Sequence, residues 1–378
     1  MIPFSKPYIS QIVRNKIEEV LSKQSLCGNG FFCKEVENFF KKTFLIKKIL
    51  LTASATQSLE MMALLLDIKA GDEIIAPSFT FVSSVNAFVL RGARVKFVDI
   101  NPKTMNLDEN LIEQAITKKT KAIIPVHYAG ISCEMDRIIE IAKHYKIAVC
   151  EDAAQGVNAF YKGKSLGSIG DFGAFSFHET KNYTSGGEGG ALVVNNEEFC
   201  QRAEILQEKG TNRSLFFQGM VDKYTWVDLG SSFLLSELQA AFLMGQLEEI
   251  DEILQKRLML WNEYYKALLP LKEKGCLELP FCPDHCAHNG HIFYIKVRDL
   301  DQRKEILEFL RKKGIIATFH YIPLHASKAG LKFGEFVGLD RYTTKESERL
   351  LRLPLYYDLD KASQEKVISS LYDFWKEQ

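Results

Sequence analysis

Residues 147–155, IAVCEDAAQ, combine a short apolar run with an acidic residue at its end. The run suits a buried β-strand, and the residue that follows such a strand lies at the carboxyl edge of a sheet. Four similar runs precede it, at residues 49–52, 73–76, 94–99 and 122–126. Segments with helical periodicity separate them, at residues 56–66, 81–90, 108–116 and 135–144. This alternation predicts an α/β fold with a largely parallel sheet covered on both faces, and a ligand site at the carboxyl ends of its strands.

The second half of the chain follows a different pattern. Two apolar runs, at residues 174–177 and 191–194, flank a glycine-rich turn, and a long helical stretch runs from residue 236 to about residue 260. A smaller unit follows, with predicted strands at 292–297 and 315–320 and predicted helices at 301–313 and from about 361. We therefore predict a large domain of residues 1–250 and a smaller C-terminal α/β domain of residues 251–378.

Composition excludes several classes of protein. Of the 378 residues, 46% are hydrophobic and 25% are charged, which excludes a disordered or low-complexity chain. The 48 Lys and Arg residues balance the 48 Asp and Glu residues, so no net charge attracts a nucleic acid or an anionic membrane. The 8 cysteines form no paired CxxC motif, and the N-terminus lacks the pattern of a signal peptide. These features predict a cytoplasmic protein with reduced thiols that binds neither nucleic acid nor membrane.

Two residues stand where chemistry is expected. Lys181 follows a short apolar strand and precedes the glycine-rich turn, so packed neighbours could desolvate its ammonium group and leave a nucleophilic amine. Asp152 ends a buried strand, where a carboxylate needs a cationic or hydrogen-bonding partner such as a pyridinium nitrogen. Taken singly, a solvated surface lysine and a helix N-cap are the ordinary interpretations of these two residues.

A third segment is suited to a phosphate group. Residues 52–58, TASATQS, join a strand to a helix through small residues, and the free N–H groups of a helix N-terminus bind anions without a net basic charge. Ser176 offers a further hydroxyl five residues before Lys181. Ser and Thr are also common N-caps for purely structural reasons.

Together these segments resemble the DegT/DnrJ/EryC1/StrS family of sugar-nucleotide aminotransferases, which have the fold-type I architecture and depend on pyridoxal 5′-phosphate. The likeness extends from residues 26–30, LCGNG, to residues 353–355, LPL. Its most specific parts are EDAAQ at 151–155, the segment SFHETK at 176–181, and GEGG at 187–190. Because Lys181 is present, the resemblance argues against the dehydratases of the family, which carry His at that position.

The resemblance implies a role for each matching residue. Lys181 would be the Schiff-base lysine, Asp152 would contact the pyridine nitrogen, and the other cofactor contacts would come from Gln155, Phe81, Ala55, Thr56 and Ser176. In many members an Asn reaches from one subunit to the phosphate of the other, two residues before an Arg. This chain has Ser232 and Leu234 at those positions, so the contact across a homodimer with shared sites falls to Ser232.

The substrate is implied in the same way. The likeness is greatest to the branch that transfers the amino group of L-glutamate to C4 of TDP-4-oxo-6-deoxy-D-glucose, giving TDP-4-amino-4,6-dideoxy-D-galactose for cell-surface polysaccharides such as enterobacterial common antigen or O-antigen. The segments that carry it are VHYAG at 126–130, EKGTNR at 208–213, VDKYTW at 221–226 and FHYIPLH at 319–325. Candidate substrate contacts are Arg213 and Lys223, as local positive charge for the diphosphate, and His320, Tyr321 and His325.

Two other functions remain open at this stage. A 3-aminotransferase acting on a 3-oxo isomer would carry the same motifs, because regiochemistry depends on how the sugar lies over the cofactor. A non-catalytic regulatory protein that binds the cofactor would tolerate the loss of Lys181, Asp152 or Thr56, and all three are present. The loop with Cys282, Cys286 and three histidines lacks two regular paired knuckles, so we predict no metal site.

Overall fold

The computed structural model of the protein describes residues 1–217 and 219–376. Its strands are β1 (Ile49–Thr52), β2 (Glu73–Pro77), β3 (Arg94–Val98), β4 (Thr120–Ile123), β5 (Ala148–Asp152), β6 (Phe160–Tyr161), β7 (Lys164–Ser165), β8 (Phe172–Ser176), β9 (Gly190–Val194), β10 (Cys286–Ala287), β11 (Tyr294–Lys296), β12 (Gly334–Phe336) and β13 (Leu350–Arg352). Eight of them form the central sheet in the order β1-β9-β8-β5-β4-β2-β3-β12. Strand β9 runs antiparallel to its neighbours β1 and β8, and the remaining pairs are parallel. The predicted α/β fold with a mostly parallel sheet is confirmed.

Helices cover both faces of this sheet and build the C-terminal part. They are α1 (Gln11–Ser22), α2 (Phe31–Phe44), α3 (Ala55–Leu65), α4 (Ser83–Val89), α5 (Ile112–Ala115), α6 (Met135–Tyr145), α7 (Cys200–Gln207), α8 (Arg213–Phe217), α9 (Glu237–Glu248), α10 (Ile250–Glu273), α11 (Leu300–Lys312), α12 (Lys328–Phe333), α13 (Thr343–Arg349) and α14 (Lys361–Lys376). Across the described ranges, none of these helices is both long and apolar enough to cross a membrane.

The apolar core is divided by the sheet into two layers. Ile74 and Ile75 are adjacent in β2 and both fully buried, yet they belong to different core clusters, because successive side chains of a strand point to opposite faces. A third cluster is built from residues between 260 and 374 and also includes Ile2. The N-terminal residue Ile2 reaches it by pairing with Ile315.

Two predicted elements differ from the structure. The segment predicted as a strand at 315–320 is not a continuous strand. It forms two isolated bridges, Ile2 with Ile315 and Thr318 with Arg352, and each neighbouring segment pairs with it at one residue. The single helix predicted from 236 is two helices, α9 and α10, separated at Glu249, where ψ is 19°. The helix begins one residue later than predicted, since Ser236 is its N-cap within a capping box with Gln239.

The fold places the start of β9 against the start of α3. A Cβ atom at Gly190 would lie 2.3 Å from the backbone nitrogen of Ala55, a distance that no side chain tolerates. Only glycine therefore allows this close approach, which brings the N-terminus of α3 beside the carboxyl ends of β5 and β8.

Candidate active site

A cavity of about 520 Å³ opens at the carboxyl ends of β5 and β8. Nine of the residues singled out from the sequence line it: Ala55, Thr56, Phe81, Asp152, Gln155, Ser176, Lys181, His320 and Tyr321. The structure therefore brings together the strand ends, the glycine-rich turn and part of the C-terminal unit. Sequence reasoning did not single out Phe4, His127 or Arg352, which line the same cavity.

Lys181 lies in the loop between β8 and β9, in a turn closed by its own backbone. Its N–H donates to the His178 carbonyl at 2.9 Å, and the Glu179 N–H donates to the Gly187 carbonyl at 2.9 Å. Desolvation in the cavity is the main cause that lowers the pKa of Lys181 to about 8; the charge of Asp152 opposes this shift and the charge of Arg352 adds to it. A substantial fraction of this amine is therefore neutral near pH 8 and able to attack a carbonyl carbon.

Asp152 is a buried carboxylate without a basic partner. It is 6% exposed, and within residues 1–217 and 219–376 no Lys, Arg or His side chain forms an ion pair with it. The Ser84 hydroxyl donates to Oδ2 at 2.6 Å, and the Ala154 N–H donates to Oδ1 at 3.1 Å. Since an uncompensated buried carboxylate is costly, this group suits a cationic ring nitrogen placed in the cavity.

The start of α3 offers donors for an anion. The Ser54 hydroxyl caps the helix by accepting from the Gln57 N–H at 3.2 Å, and the N–H groups of Ala55 and Thr56, in the first turn, have no acceptor within the helix. The Thr56 hydroxyl lies 2.8 Å from that of Ser83, and Ser176 lines the same cavity. Free amides, hydroxyls and the helix dipole together suit a phosphate group.

Gln155 and Phe81 also line the cavity that contains Asp152 and the start of α3. The Gln155 side chain accepts from the Ala129 N–H at 2.7 Å and donates to the Tyr321 hydroxyl at 3.1 Å, so its position is fixed from both ends. Burial raises the pKa of Tyr321 to about 12 and keeps that hydroxyl protonated. Phe81 is 58% exposed and presents its ring at the cavity mouth.

His127 lines the cavity and is held in place by Glu151. The Glu151 carboxylate is fully buried and accepts from the N–H groups of Gly167, Ile169 and Gly170 at 2.7–2.8 Å. The His127 Nδ1 accepts from the Cys133 N–H at 3.2 Å, so its proton is on Nε2, which donates to Glu151 at 2.9 Å. Glu151 precedes Asp152 in β5. A carboxylate within an apolar strand needs hydrogen-bond donors, so this residue in the sequence indicates a buried polar network next to Asp152.

Four predicted site residues lie outside the cavity lining. Ser232 is exposed and forms a single bridge with Glu208, and Lys223 is also exposed. The Arg213 guanidinium lies 3.2 Å from a Glu208 carboxylate oxygen. His325 contacts the Ser78 hydroxyl at 2.7 Å and the carboxylate of Asp340 at 3.2 Å, so both its ring nitrogens are taken by structural partners.

The histidines of the cysteine-containing loop have separate partners. His285 lies 3.0 Å from a Glu134 carboxylate oxygen, His291 Nδ1 lies 2.8 Å from Asn182 Oδ1, and His288 packs on Trp261 with ring centroids 4.4 Å apart. In the portion of the chain that the structure describes, no three His, Cys, Asp or Glu side chains are grouped as metal ligands would be.

Comparison with known proteins points to one family. Residues 7–372 match the DegT/DnrJ/EryC1/StrS aminotransferase family. An uncharacterized protein of Methanocaldococcus jannaschii is 34% identical over 371 residues, covering 93% of each chain. Helicobacter pylori PseC, an aminotransferase involved in the biosynthesis of pseudoaminic acid, superposes with a TM-score of 0.90 at 25% identity over the full length of both chains. Bacillus subtilis NtdA, solved with bound cofactor PMP, gives 0.86 at 30% identity over 97% of this chain and 82% of its own.

The lowered pKa of Lys181 leads to a first prediction. With an amine-reactive probe on the cofactor-free protein, modification of Lys181 should be half-maximal near pH 8, because the neutral amine is the reactive form. Lys162 serves as the control, since it is exposed and its pair with Asp136 raises its pKa. Peptide mass spectrometry over a pH series measures both. Equal pH profiles for the two lysines would contradict the assignment of Lys181 as the activated amine.

Proposed function

Because the chain belongs to the DegT/DnrJ/EryC1/StrS aminotransferase family, we propose that it transfers the amino group of L-glutamate to C4 of TDP-4-oxo-6-deoxy-D-glucose, giving TDP-4-amino-4,6-dideoxy-D-galactose. It is a pyridoxal 5′-phosphate-dependent aminotransferase. The observation that carries the proposal is the pairing, in one cavity, of an activated lysine with a buried carboxylate that has no basic partner: Lys181 and Asp152. The sugar is proposed from the sequence segments at 126–130, 208–213, 221–226 and 319–325.

The cavity residues fit the cofactor. We propose that Asp152 holds the pyridine nitrogen in its protonated form, that Ala55, Thr56 and Ser176 hold the phosphate, and that Gln155 and Phe81 flank the ring. When bound, pyridoxal phosphate supplies an electron sink that stabilises a carbanion next to the reacting nitrogen. Asp152 would strengthen that effect by keeping the nitrogen protonated, and its buried position would shield the charge pair from water.

Lys181 has two tasks in this scheme. Its neutral amine would hold the cofactor until the amino donor takes its place. The released amine would then accept the proton from Cα of the donor, and in the second half-reaction it would deliver a proton to C4 of the sugar. An amine with a pKa of about 8 is suited to both steps near pH 8, where its protonated and neutral forms are present in similar amounts.

The structure of the product tests this proposal. Purified enzyme would be incubated with L-glutamate and TDP-4-oxo-6-deoxy-D-glucose, or with the 3-oxo isomer, and the amino sugar identified by NMR. We expect the amine on C4, axial as in the galactose configuration, and no product from the Lys181→Ala variant. An amine on C3 would favour the 3-aminotransferase. Absence of turnover with both sugars despite bound cofactor would refute both as substrates.

Asp152→Asn gives a second prediction. The amide can still hydrogen-bond to the cofactor but cannot hold the pyridinium charge, so we expect transamination to fall by several orders of magnitude, on the order of 10³-fold, while much of the cofactor is retained. Asp136→Asn is the control, since this carboxylate is exposed and paired with Lys162. For both variants and the wild type, a steady-state assay measures turnover and absorbance measures the cofactor content. Near-wild-type turnover at full cofactor content would exclude this role for Asp152.

We further propose that the working unit is a homodimer in which Ser232 completes the phosphate site of the neighbouring subunit. The segment before Ser232 exposes large apolar side chains, including Tyr224 at 52%, Trp226 at 77% and Leu229 at 50%. Several exposed large apolar side chains in one segment are a feature of protein interfaces. Its place next to Ser232 supports a partner subunit that covers this face.

Hybrid dimers provide the third test. Ser232→Arg should block the neighbouring site sterically, whereas loss of one hydroxyl contact would cost only about 1 kcal/mol. Mixed with inactive Lys181→Ala chains, it should give hybrids with one intact site, and random pairing restores up to about a quarter of wild-type activity. Each variant alone is the control. An active monomer, or no recovery in hybrids verified by native mass spectrometry, would refute the shared site.

A further inference from the structure

Arg352 is a cation in the cavity that no acidic group balances. It ends β13, where the Thr318 carbonyl accepts from its backbone N–H at 2.6 Å, and its side chain lines the cavity with Lys181. Throughout the described ranges, no Asp or Glu side chain lies within ion-pair distance of its guanidinium. The Nε atom is buried without a hydrogen-bond partner. Because an orphaned N–H on a buried charge is costly, this arrangement suits a ligand that brings a negative charge and acceptor oxygens.

Neutral groups hold Arg352 in place. Its Nη1 donates to His320 Nε2, so the proton of that imidazole is on Nδ1, which lies 3.2 Å from the Tyr128 hydroxyl. Burial, with the charges of Arg352 and Lys181, lowers the pKa of His320 and keeps the ring uncharged. The guanidinium carbon lies 4.5 Å from the centroid of the Phe4 ring. These contacts fix the direction of Arg352 and leave its charge uncompensated.

We propose that Arg352 binds the α-carboxylate of the amino donor. This assignment rests on the proposed aminotransferase function, in which Lys181 must reach Cα of an amino acid. The α-carboxylate is bonded directly to that carbon, so its binding group must lie in the same cavity as Lys181, as Arg352 does. A planar guanidinium with unoccupied N–H groups accepts a carboxylate through two parallel hydrogen bonds. The diphosphate of a sugar nucleotide is separated from the reacting carbon by the hexose ring, which places it farther from Lys181.

The donor half-reaction tests the proposal without any sugar. Cofactor-loaded wild-type, Arg352→Gln and Arg352→Lys proteins would be mixed with L-glutamate, and the cofactor absorbance followed over a range of concentrations. We expect the half-saturating concentration to rise about 30- to 100-fold in Arg352→Gln, and about 5- to 10-fold in Arg352→Lys, which keeps the charge but loses the planar pair of donors. Arg298→Gln, at an exposed arginine paired with Asp299, should match wild type.

Three further measurements separate this role from others. L-glutamine keeps the α-carboxylate. If it reacts with the wild type, its half-saturating concentration should rise in Arg352→Gln by the same factor as that of L-glutamate. The rate of the sugar half-reaction should change less than about threefold in this variant. Calorimetry should show glutarate, an unreactive dicarboxylate, binding the loaded Arg352→Gln protein about 30- to 100-fold more weakly than wild type. The pH profile of Lys181 modification in that variant should move to higher pH, because a neighbouring positive charge is lost.

Several results would overturn the proposal. One is a larger effect of the substitution on the sugar half-reaction than on the donor half-reaction. Another is an unchanged response to L-glutamate in a folded Arg352→Lys protein. A third is weaker binding of L-glutamate with no change for L-glutamine, which would assign Arg352 to the side-chain carboxylate. Circular dichroism verifies folding, and Arg352→Lys answers the question if Arg352→Gln does not fold. An enzyme that reacts with L-glutamate but forms another amino sugar would refute the proposed sugar and leave the Arg352 test intact.

Discussion

The electrostatic balance of the cavity is the constraint on which the rest of the site depends. A buried carboxylate, Asp152, and two basic side chains, Lys181 and Arg352, line a space at the end of a hydrophobic sheet, where the exposed carboxylate of Glu188 also lies. Their charges oppose one another at the lysine, where Asp152 raises its pKa and desolvation with Arg352 lowers it. None of the three is neutralised by a direct ion pair within the described residues. The balance is completed only by ligands, which explains why costly burial is retained here.

The fold produces this balance by bringing distant segments to one edge. Strand β5 delivers Asp152, and the turn after β8 delivers Lys181. Arg352 comes from β13 in the C-terminal unit, while the N-terminal residue Ile2, through its pairing with Ile315, anchors the segment that carries Phe4. The carboxylate of Asp99, at the end of β3, accepts from the N–H groups of residues 341–343 at 2.8–3.0 Å and thereby ties the C-terminal unit to the sheet. The site is therefore sensitive to how the two parts of the chain pack.

The sequence was sufficient where local pattern determines the structure. The strand at Ile49–Thr52 is predicted to the residue. Asp152, Lys181 and Thr56 are candidates from the sequence because strand ends and helix starts are local features, and all three line the cavity. Arg352 lies in a segment for which the sequence analysis predicts no element, and the lack of an acidic partner for it among the described residues is visible only in three dimensions. The bridges at 315–320 were mistaken for a strand, since β-branched composition does not reveal how many residues a neighbour can pair with. Ser232 lies outside the cavity lining of this chain, and its contact with a neighbouring subunit stays a proposal that the pattern of one chain does not test.

The position of Arg352 also bears on how Lys181 changes during the reaction. In the unliganded cavity Arg352 lowers the pKa of Lys181, which favours the neutral amine that attacks a carbonyl. A donor carboxylate bound to Arg352 would cancel much of that positive field, because opposite charges at contact distance screen each other at a third site. The proton affinity of Lys181 would then rise, at the stage when it must take a proton from Cα. The same arginine would thus favour the neutral, nucleophilic lysine while the cofactor is being bound, and would allow the lysine to be more basic once the donor has released it. His320 stays uncharged and adds no further positive charge beside Lys181.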